Sequence, residues 1–140
     1  MSKTSPLETT TLYLAIGPQQ LAALARADYR RIEPGEGGEL LVLFKLHQRY
    51  AEMVARQRIL PRDGLAYVLE LQVASEAMLD FELGTVAYRE HLEYLVPVAA
   101  LELINRFLTG PVRLVSRFRP GESFSVPALS DEVLVPGVMA

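Results

Sequence analysis

Hydrophobic and polar residues alternate along several short stretches of this chain. The clearest stretch runs from Leu65 to Val73, where every second residue is large and apolar while Glu70 and Gln72 point the other way. A period of two is typical of a half-buried β-strand, because successive side chains project from opposite faces. By this criterion, or by short runs of β-branched and aromatic residues, strands are also predicted over residues 11–16, 29–32, 40–44, 93–96 and 112–119.

Three other segments carry apolar residues at helical spacing. They cover residues 18–28, about 47–58 and 97–109. Pro18 and Pro97 open the first and third, where a missing backbone N–H costs nothing, and Gly110 follows the third. The remaining segments are predicted as a glycine-rich loop at 33–39, a turn at 60–64, a helical turn at 74–81 and a loop at 82–91.

The order of these elements is β-α-β-β-α-β-β-α-β, which predicts a single α+β domain with a mixed, strongly twisted sheet and about three helices. The domain is expected over residues 11–119, after a polar lead-in at residues 1–10 and before a proline-containing C-terminal tail at residues 120–140. A chain of 140 residues has the usual size of one domain. The predicted core includes Tyr67, Leu69, Leu71, Leu101 and Ile104.

The composition excludes several classes of protein. There are no cysteines, which excludes disulfides, thiolate zinc sites and cysteine nucleophiles. The formal net charge of −3 argues against general nucleic-acid binding. No apolar run approaches the ~20 residues that cross a bilayer, and the first residues contain no secretory signal. A cytoplasmic protein with neither a nucleic-acid nor a membrane partner is therefore expected.

The charges are segregated along the chain. Residues 45–62 and 103–119 are rich in arginine, whereas residues 63–102 are strongly acidic. One interpretation is a set of solvated faces that form salt bridges with each other. The other is an arginine-lined groove for an anion such as a dinucleotide pyrophosphate. The glycine-rich loop is interpreted as an ordinary loop, because Glu33, Glu36 and Glu39 would repel a phosphate.

Few residues suggest a metal or a stacking platform. His47 and His91 are the only histidines and lie far apart, so no metal site is expected; the alternative is a cation between His91, Glu93 and either Asp80 or Glu82. The chain also has tyrosines that interleave with the predicted strands and the second helix. These are interpreted as core residues, with stacking on a base or a nicotinamide as the alternative. They are Tyr13, Tyr50, Tyr67 and Tyr94.

The C-terminal tail combines prolines with two apolar patches, at residues 124–126 and 133–135. Leaving these side chains in water is unfavourable, so the tail is expected to fold back onto its own domain or to cross to a second copy. Of the two, we expect a homodimer formed by exchange of the tail.

The order and spacing of several pieces resemble a known family. Residues 11–13, a Gly-Pro turn and a helix ending near residues 28–30 form the first piece. A strand centred on Phe44 and a helix carrying Tyr50 form the second. The third is residues 91–97, continuing through Asn105 and Gly110 into residues 112–115. Together they resemble small bacterial ADP-ribosyltransferase-like proteins, often labelled "ADP-ribosylation/crystallin J1", over residues 11–118.

The resemblance implies a split-sheet α+β fold related to NAD-binding transferases. Glu93 matches the late glutamate that acts catalytically in active members, and Tyr13, Tyr50 and Arg49 are the candidate NAD contacts. The first-strand position that carries His or Arg in active members is Leu14 here. Leucine cannot hydrogen-bond a ribose or pyrophosphate, so this departure argues against NAD use.

Two functions follow from the resemblance. The first is a non-catalytic or degenerate ADP-ribosyltransferase-like domain that uses no cofactor and binds a protein partner, in the manner of an immunity protein or antitoxin. The alternative is an active NAD-dependent ADP-ribosyltransferase or a related NAD-binding enzyme. The Leu14 departure favours the first.

Overall fold

The computed structural model describes residues 8–35, 37–85 and 91–121. Its strands are β1 (Thr9–Ile16), β2 (Leu41–Lys45), β3 (Ala66–Ala74), β4 (Glu82–Thr85), β5 (Leu92–Pro97) and β6 (Arg113–Phe118). Its α-helices are α1 (Pro18–Arg26), α2 (Gln48–Val54), α3 (Leu60–Asp63) and α4 (Leu101–Arg106). A π-helical turn, Ala55–Ile59, joins α2 and α3 into one continuous helix, and short 3₁₀ turns lie at Ser75–Met78 and Val98–Ala100.

The six strands form one open sheet in the order β4-β5-β2-β1-β3-β6, and every neighbouring pair is antiparallel. The fold is therefore a single α+β domain, as predicted, but the prediction of a mixed sheet is wrong. The α2–α3 helix does connect two strands that run in the same direction, β2 and β3. β1 lies between those two strands, so no parallel pair forms.

Apolar side chains cover both faces of the sheet. The larger core joins β1 and β3 to α1 and α4, and it contains Leu69, Leu71, Leu101 and Ile104 as predicted, with Tyr67 half-buried against it. The smaller core packs the continuous helix on the other face through its small residues. Its members are Ala51, Ala55, Ile59, Ala66, Val68 and Phe118. β3 is thus buried on both faces along its first half, not on one face as its alternation suggested.

Residues 29–32 do not form the predicted strand. Asp28 and Tyr29 adopt positive φ angles of 57° and 61°, which end α1 in the left-handed region. The following segment is held by side-chain and loop contacts: the Asn105 side chain pairs with the backbone of Ile32, and the N–H of Val112 donates to the carbonyl of Tyr29.

Two other boundaries differ from the prediction. Residues 82–85, predicted as loop, form the edge strand β4, which pairs with β5. Residues 60–63, predicted as a turn, continue the helix as α3, which ends at Gly64 in the left-handed conformation. Pro61 lies at the start of α3, directly after the π-helical turn. No helix within the described ranges is long and apolar enough to cross a membrane.

Candidate functional site

A row of polar residues crosses the face of the sheet that the α2–α3 helix covers. Its members are registered partners on five successive strands: Arg113 on β6, Glu70 on β3, Tyr13 on β1, Lys45 on β2 and Glu93 on β5. Registered partners project from the same face of a sheet, so these side chains are neighbours. The row contains two ion pairs. One is the exposed pair of Arg113 and Glu70, and the other is the buried pair of Lys45 and Glu93.

Glu93 is a buried carboxylate, only 6% exposed. Its Oε1 atom lies 3.1 Å from Nζ of Lys45 and accepts a hydrogen bond of 3.0 Å from the hydroxyl of Tyr50. A buried charge is tolerated only where such partners compensate it. Both contacts fall on Oε1, and within the described residues Oε2 has no hydrogen-bond or ion-pair partner.

The amine of Lys45 is as buried as the carboxylate that it contacts, with the residue 6% exposed. Nζ also donates to the carbonyl of Leu43 at 3.0 Å and lies 5.2 Å from the ring centroid of Tyr50. Burial lowers the pKa of Lys45, and the nearby positive charge of Arg58 lowers it further, while the contact with Glu93 opposes both effects. Lys45 is therefore easier to deprotonate than a solvated lysine.

Tyr50 positions this group from α2. Burial, followed by the hydrogen bond and the charge of Glu93, raises the pKa of Tyr50 to about 12. Its ring stacks on the imidazole of His91, with centroids 4.4 Å apart and planes within 9° of parallel. His91 therefore covers one face of the Tyr50 ring. Tyr50 contributes to the site through its hydroxyl and by positioning His91.

The buried pair lines a cleft of about 450 Å³, within the size range of small-molecule sites. β1 and β2 share a single registered pair, Tyr13 and Lys45, and beyond it the two strands diverge. The cleft lies in this gap, roofed by the continuous helix. Its walls include Leu14, Ala15, Leu43, Lys45, Tyr50, Met53, Gln57, Arg58, Arg62, His91 and Glu93.

Two arginines of the continuous helix line the cleft. The guanidinium of Arg62 contacts both carboxylate oxygens of Asp63, at 2.9 and 3.0 Å. Arg58 has no carboxylate within ion-pair distance among residues 8–35, 37–85 and 91–121. Its charge lowers the pKa values of Lys45 and Tyr50, so it acts electrostatically on the buried group. Arg58 is thus available to an anionic ligand.

The position of Arg58 depends on the π-helical turn Ala55–Ile59. Pro61, shortly after this turn, has no N–H and its ring crowds the preceding turn of a regular helix, so a widened turn accommodates it. π-turns are frequent at functional sites. Here the turn spans both Gln57 and Arg58 in the cleft wall and Ile59 in the smaller core.

A second cavity, of about 540 Å³, adjoins the cleft at the start of α1. The two share Gln20, Gly35, Glu39 and Arg62 in their walls. Gly17 precedes α1 here, and the carboxylate of Asp63 approaches it so closely that a Cβ atom would require the Asp63 side chain to move. The two cavities together form an elongated space with Arg62 between them.

The structure brings together only some of the predicted site residues. Glu93 and Tyr50 are in contact in the cleft wall. The hydroxyl of Tyr13 instead donates to Glu70 at 3.2 Å, outside the cleft lining. Arg49 is exposed and does not line the cleft, so the structure gives it no place in this site.

Sequence reasoning did not single out Lys45 or Arg58 as site residues, and it considered His91 only as a ligand in the alternative cation site. The available signal for Lys45 was a charged residue directly after a run of five apolar residues, at the end of a strand. Arg58 was recognised only as a member of a basic segment. Within the described residues, no group of three or more acidic or histidine side chains is arranged to hold a metal ion.

Comparisons with known proteins add no assignment: no protein family, no curated protein and no solved structure matches the chain.

Proposed function

We propose that the cleft binds a nucleotide of the NAD type and that this domain is a nucleotide-binding protein of the ADP-ribosyltransferase-like kind. The observation that carries the proposal is the arrangement of the cleft. A buried carboxylate, Glu93, has one oxygen without a hydrogen-bond or ion-pair partner among the described residues, and Arg58 lines the same cleft without a carboxylate partner among them. Arg62 also lines the cleft but is paired with Asp63, and Glu39 stands in the same wall, so Arg58 is the cation that the proposal uses. Carboxylates accept hydrogen bonds from ribose hydroxyls, and arginine suits a pyrophosphate. The resemblance over residues 11–118 supports the same ligand.

The absence of a basic residue at position 14 weighs less than the sequence suggested. Leu14 is 7% exposed and packs into the larger core, although it also borders the cleft. The cation next to β1 comes from the neighbouring strand, as Lys45, the registered partner of Tyr13. A basic side chain therefore lies beside the first strand, but Glu93 already pairs with it, so Arg58 is the cation left for a pyrophosphate.

Binding can be tested by isothermal titration calorimetry with NAD, ADP-ribose and adenosine. We expect NAD and ADP-ribose to bind and adenosine, which lacks the pyrophosphate, to bind at least about tenfold more weakly. Arg58→Gln is expected to weaken both anionic ligands. Arg49→Gln is the matched control, an exposed arginine on the same helix outside the cleft, and is expected to bind like the wild type. Equal binding by Arg58→Gln, or no binding of either anionic ligand, would contradict the proposal.

Catalysis is a separate question, answered by release of nicotinamide from NAD. The expectation of a non-catalytic domain predicts no release of nicotinamide, whether or not NAD binds. Release that is lost in Glu93→Gln, with NAD binding retained, would instead establish the active-enzyme alternative. Glutamine keeps an acceptor for the Tyr50 hydroxyl, which makes this variant the milder of the available changes.

A specific observation also favours the second candidate, a protein-binding module of the immunity or antitoxin kind. Four leucines of the described residues are exposed: Leu40 at 84%, Leu79 at 81%, Leu83 at 48% and Leu41 at 42%. Leu83 lies on the edge strand β4, and exposed apolar residues at a sheet edge are typical of contact surfaces. Co-purification of one defined partner from the source cell, lost in Leu79→Glu and Leu83→Glu, would support this candidate; capture that is unchanged in both variants would contradict it.

A further inference from the structure

Lys45 has surroundings unlike those of a surface lysine. Its amine is buried in the wall of an open cleft, with a carboxylate oxygen of Glu93 at 3.1 Å and the hydroxyl of Tyr50 on the same oxygen. An amine so placed has a proton acceptor in contact and a proton donor one hydrogen bond further on. Lys45 is also one of only two lysines in the chain, the other being Lys3.

We infer that Lys45 is a nucleophilic amine that forms a Schiff base with phosphorylated aldehydes entering the cleft. Lysines act in this way when they are desolvated or lie beside another cationic group. The first condition holds, because Lys45 is buried in the cleft wall, and Arg58 lines the same cleft. The inference rests on the proposed function in one respect, that Arg58 receives the phosphate of the incoming molecule.

The reaction balances without a further reactant. The ammonium of Lys45 gives one proton to Glu93, and the freed lone pair on Nζ attacks the carbonyl carbon as the C=O π electrons move to oxygen. Nζ, which still carries two protons after the attack, passes one of them through the Tyr50 hydroxyl to that oxygen, and a neutral carbinolamine results. The carbinolamine hydroxyl takes up the proton held by Glu93 and leaves as water while the C=N bond forms, which returns Glu93 to its carboxylate form. The product is a protonated imine, whose positive charge keeps its pairing with the Glu93 carboxylate.

Pyridoxal 5′-phosphate with cyanoborohydride tests this inference on the unmodified full chain. Cyanoborohydride adds hydride to the imine carbon and fixes the adduct, which peptide mass spectrometry then assigns to Lys45, to Lys3 or to the N-terminal amine. Each unit by which the pKa of an amine falls raises its neutral fraction about tenfold near pH 7. We expect at least about threefold more adduct on Lys45 than on Lys3 at neutral pH. Adduct on Lys3 and none on Lys45 would overturn the inference.

The pH dependence of labelling is a second, independent measurement. The titratable or charged groups that face Lys45 are Glu93, Tyr50, Arg58, His91 and Tyr13. Labelling of Lys45 is expected to reach half of its maximum at a lower pH than labelling of Lys3 in the same sample. Coincident profiles would contradict the inference. The comparison within one chain removes the pH dependence of the reagent itself.

The phosphate requirement is tested with pyridoxal, which lacks that group. The preference of Lys45 for pyridoxal 5′-phosphate over pyridoxal is expected to fall several-fold in Arg58→Gln and to persist in Arg49→Gln. NAD then separates the two proposals. Protection of Lys45 from labelling by NAD supports both proposals. Labelling that NAD does not reduce contradicts the nucleotide site but leaves the Schiff base standing. NAD binding without any Lys45 adduct contradicts the Schiff base alone.

Discussion

The side-chain amide of Asn105 pairs with the backbone of Ile32 in both directions. Its Oδ1 accepts from the N–H of Ile32 at 2.7 Å, and its Nδ2 donates to the carbonyl of the same residue at 2.9 Å. One side chain thus supplies the two hydrogen bonds that a neighbouring strand would otherwise provide. This contact fastens the segment after α1 to α4.

Asn105→Ala is expected to lower the free energy of unfolding by about 1–3 kcal/mol, because both backbone groups of Ile32 lose their partner. Urea denaturation followed by circular dichroism measures the change. Arg106→Ala, at an exposed position of the same helix, is the control and is expected to leave the midpoint nearly unchanged. An Asn105→Ala midpoint equal to that of the control would show that water replaces the amide without cost.

Leu69 lies at the centre of the larger core, 1% exposed. Leu69→Ala removes buried methyl groups and leaves a cavity, so we expect a loss of about 2–5 kcal/mol. Leu83→Ala, on the half-exposed edge strand, is the matched leucine control and is expected to change stability by less than about 0.5 kcal/mol. A loss below that size at Leu69 would mean that the core rearranges around the cavity.

Because Lys45 and Glu93 form a buried ion pair, we expect the effects of substituting them on the free energy of unfolding to be non-additive. Lys45→Met leaves an unpaired carboxylate inside the protein, which is expected to cost about 3–5 kcal/mol. Adding Glu93→Gln removes that charge but keeps an acceptor for Tyr50, so the double variant is expected to recover most of the loss. A double variant less stable than Lys45→Met would contradict this account of the pair.

The raised pKa of Tyr50 predicts that the folded protein loses stability at alkaline pH. Its pKa is raised from 10.0 to about 12 in the folded protein, so the folded state retains a proton that the unfolded state loses. The resulting stabilisation is complete below pH 10 and is lost as the pH rises through about 12. Alkaline difference spectroscopy of wild type against Tyr50→Phe is expected to show a missing phenol that titrates near 12. A missing component near 10 would place Tyr50 in solvent.

The dimer expected from the C-terminal tail concerns residues that, from 122 onwards, lie outside the described part of the chain. Light scattering on the full chain is expected to give the mass of a dimer, and a version ending at Arg119 the mass of a monomer. The shorter version keeps β6 complete. Equal masses for the two, at equal stability, would remove the tail from self-association.

Local sequence patterns predicted the elements that carry clear apolar periodicity or a marked boundary. β3 and α1 carry clear periodicity, and the Gly-Pro pair between β1 and α1 marks a boundary that the structure keeps. β4 was missed because its four residues are mostly exposed and include Gly84, so no apolar alternation marks it. The prediction of a strand at residues 29–32 is wrong because the hydrogen-bond partner of this segment is a side chain 73 positions away, which a local pattern cannot show.

The candidate site was predictable only in part, for the same reason. Glu93 and Tyr50 lie on elements that the resemblance aligned, and the structure places them in contact. The choice among the basic residues depends on the single registered pair between β1 and β2 and on the π-turn. The registered pair leaves no local trace in the sequence, and the π-turn leaves only Pro61, which does not by itself identify such a turn, so Arg49 was favoured over Lys45 and Arg58.

The π-turn Ala55–Ile59 also indicates which kind of mutation can alter this cleft. Residues of an α-helix are spaced by about 100° around the axis, so an added residue rotates whatever follows it by that angle. Deleting a residue of this turn other than Arg58 would keep both Arg58 and Arg62 in the protein. It would rotate Arg62 about the helix axis relative to the residues before the turn. A single-codon insertion or deletion is therefore the step by which related chains could gain or lose a cationic cleft while their composition and net charge stay almost constant.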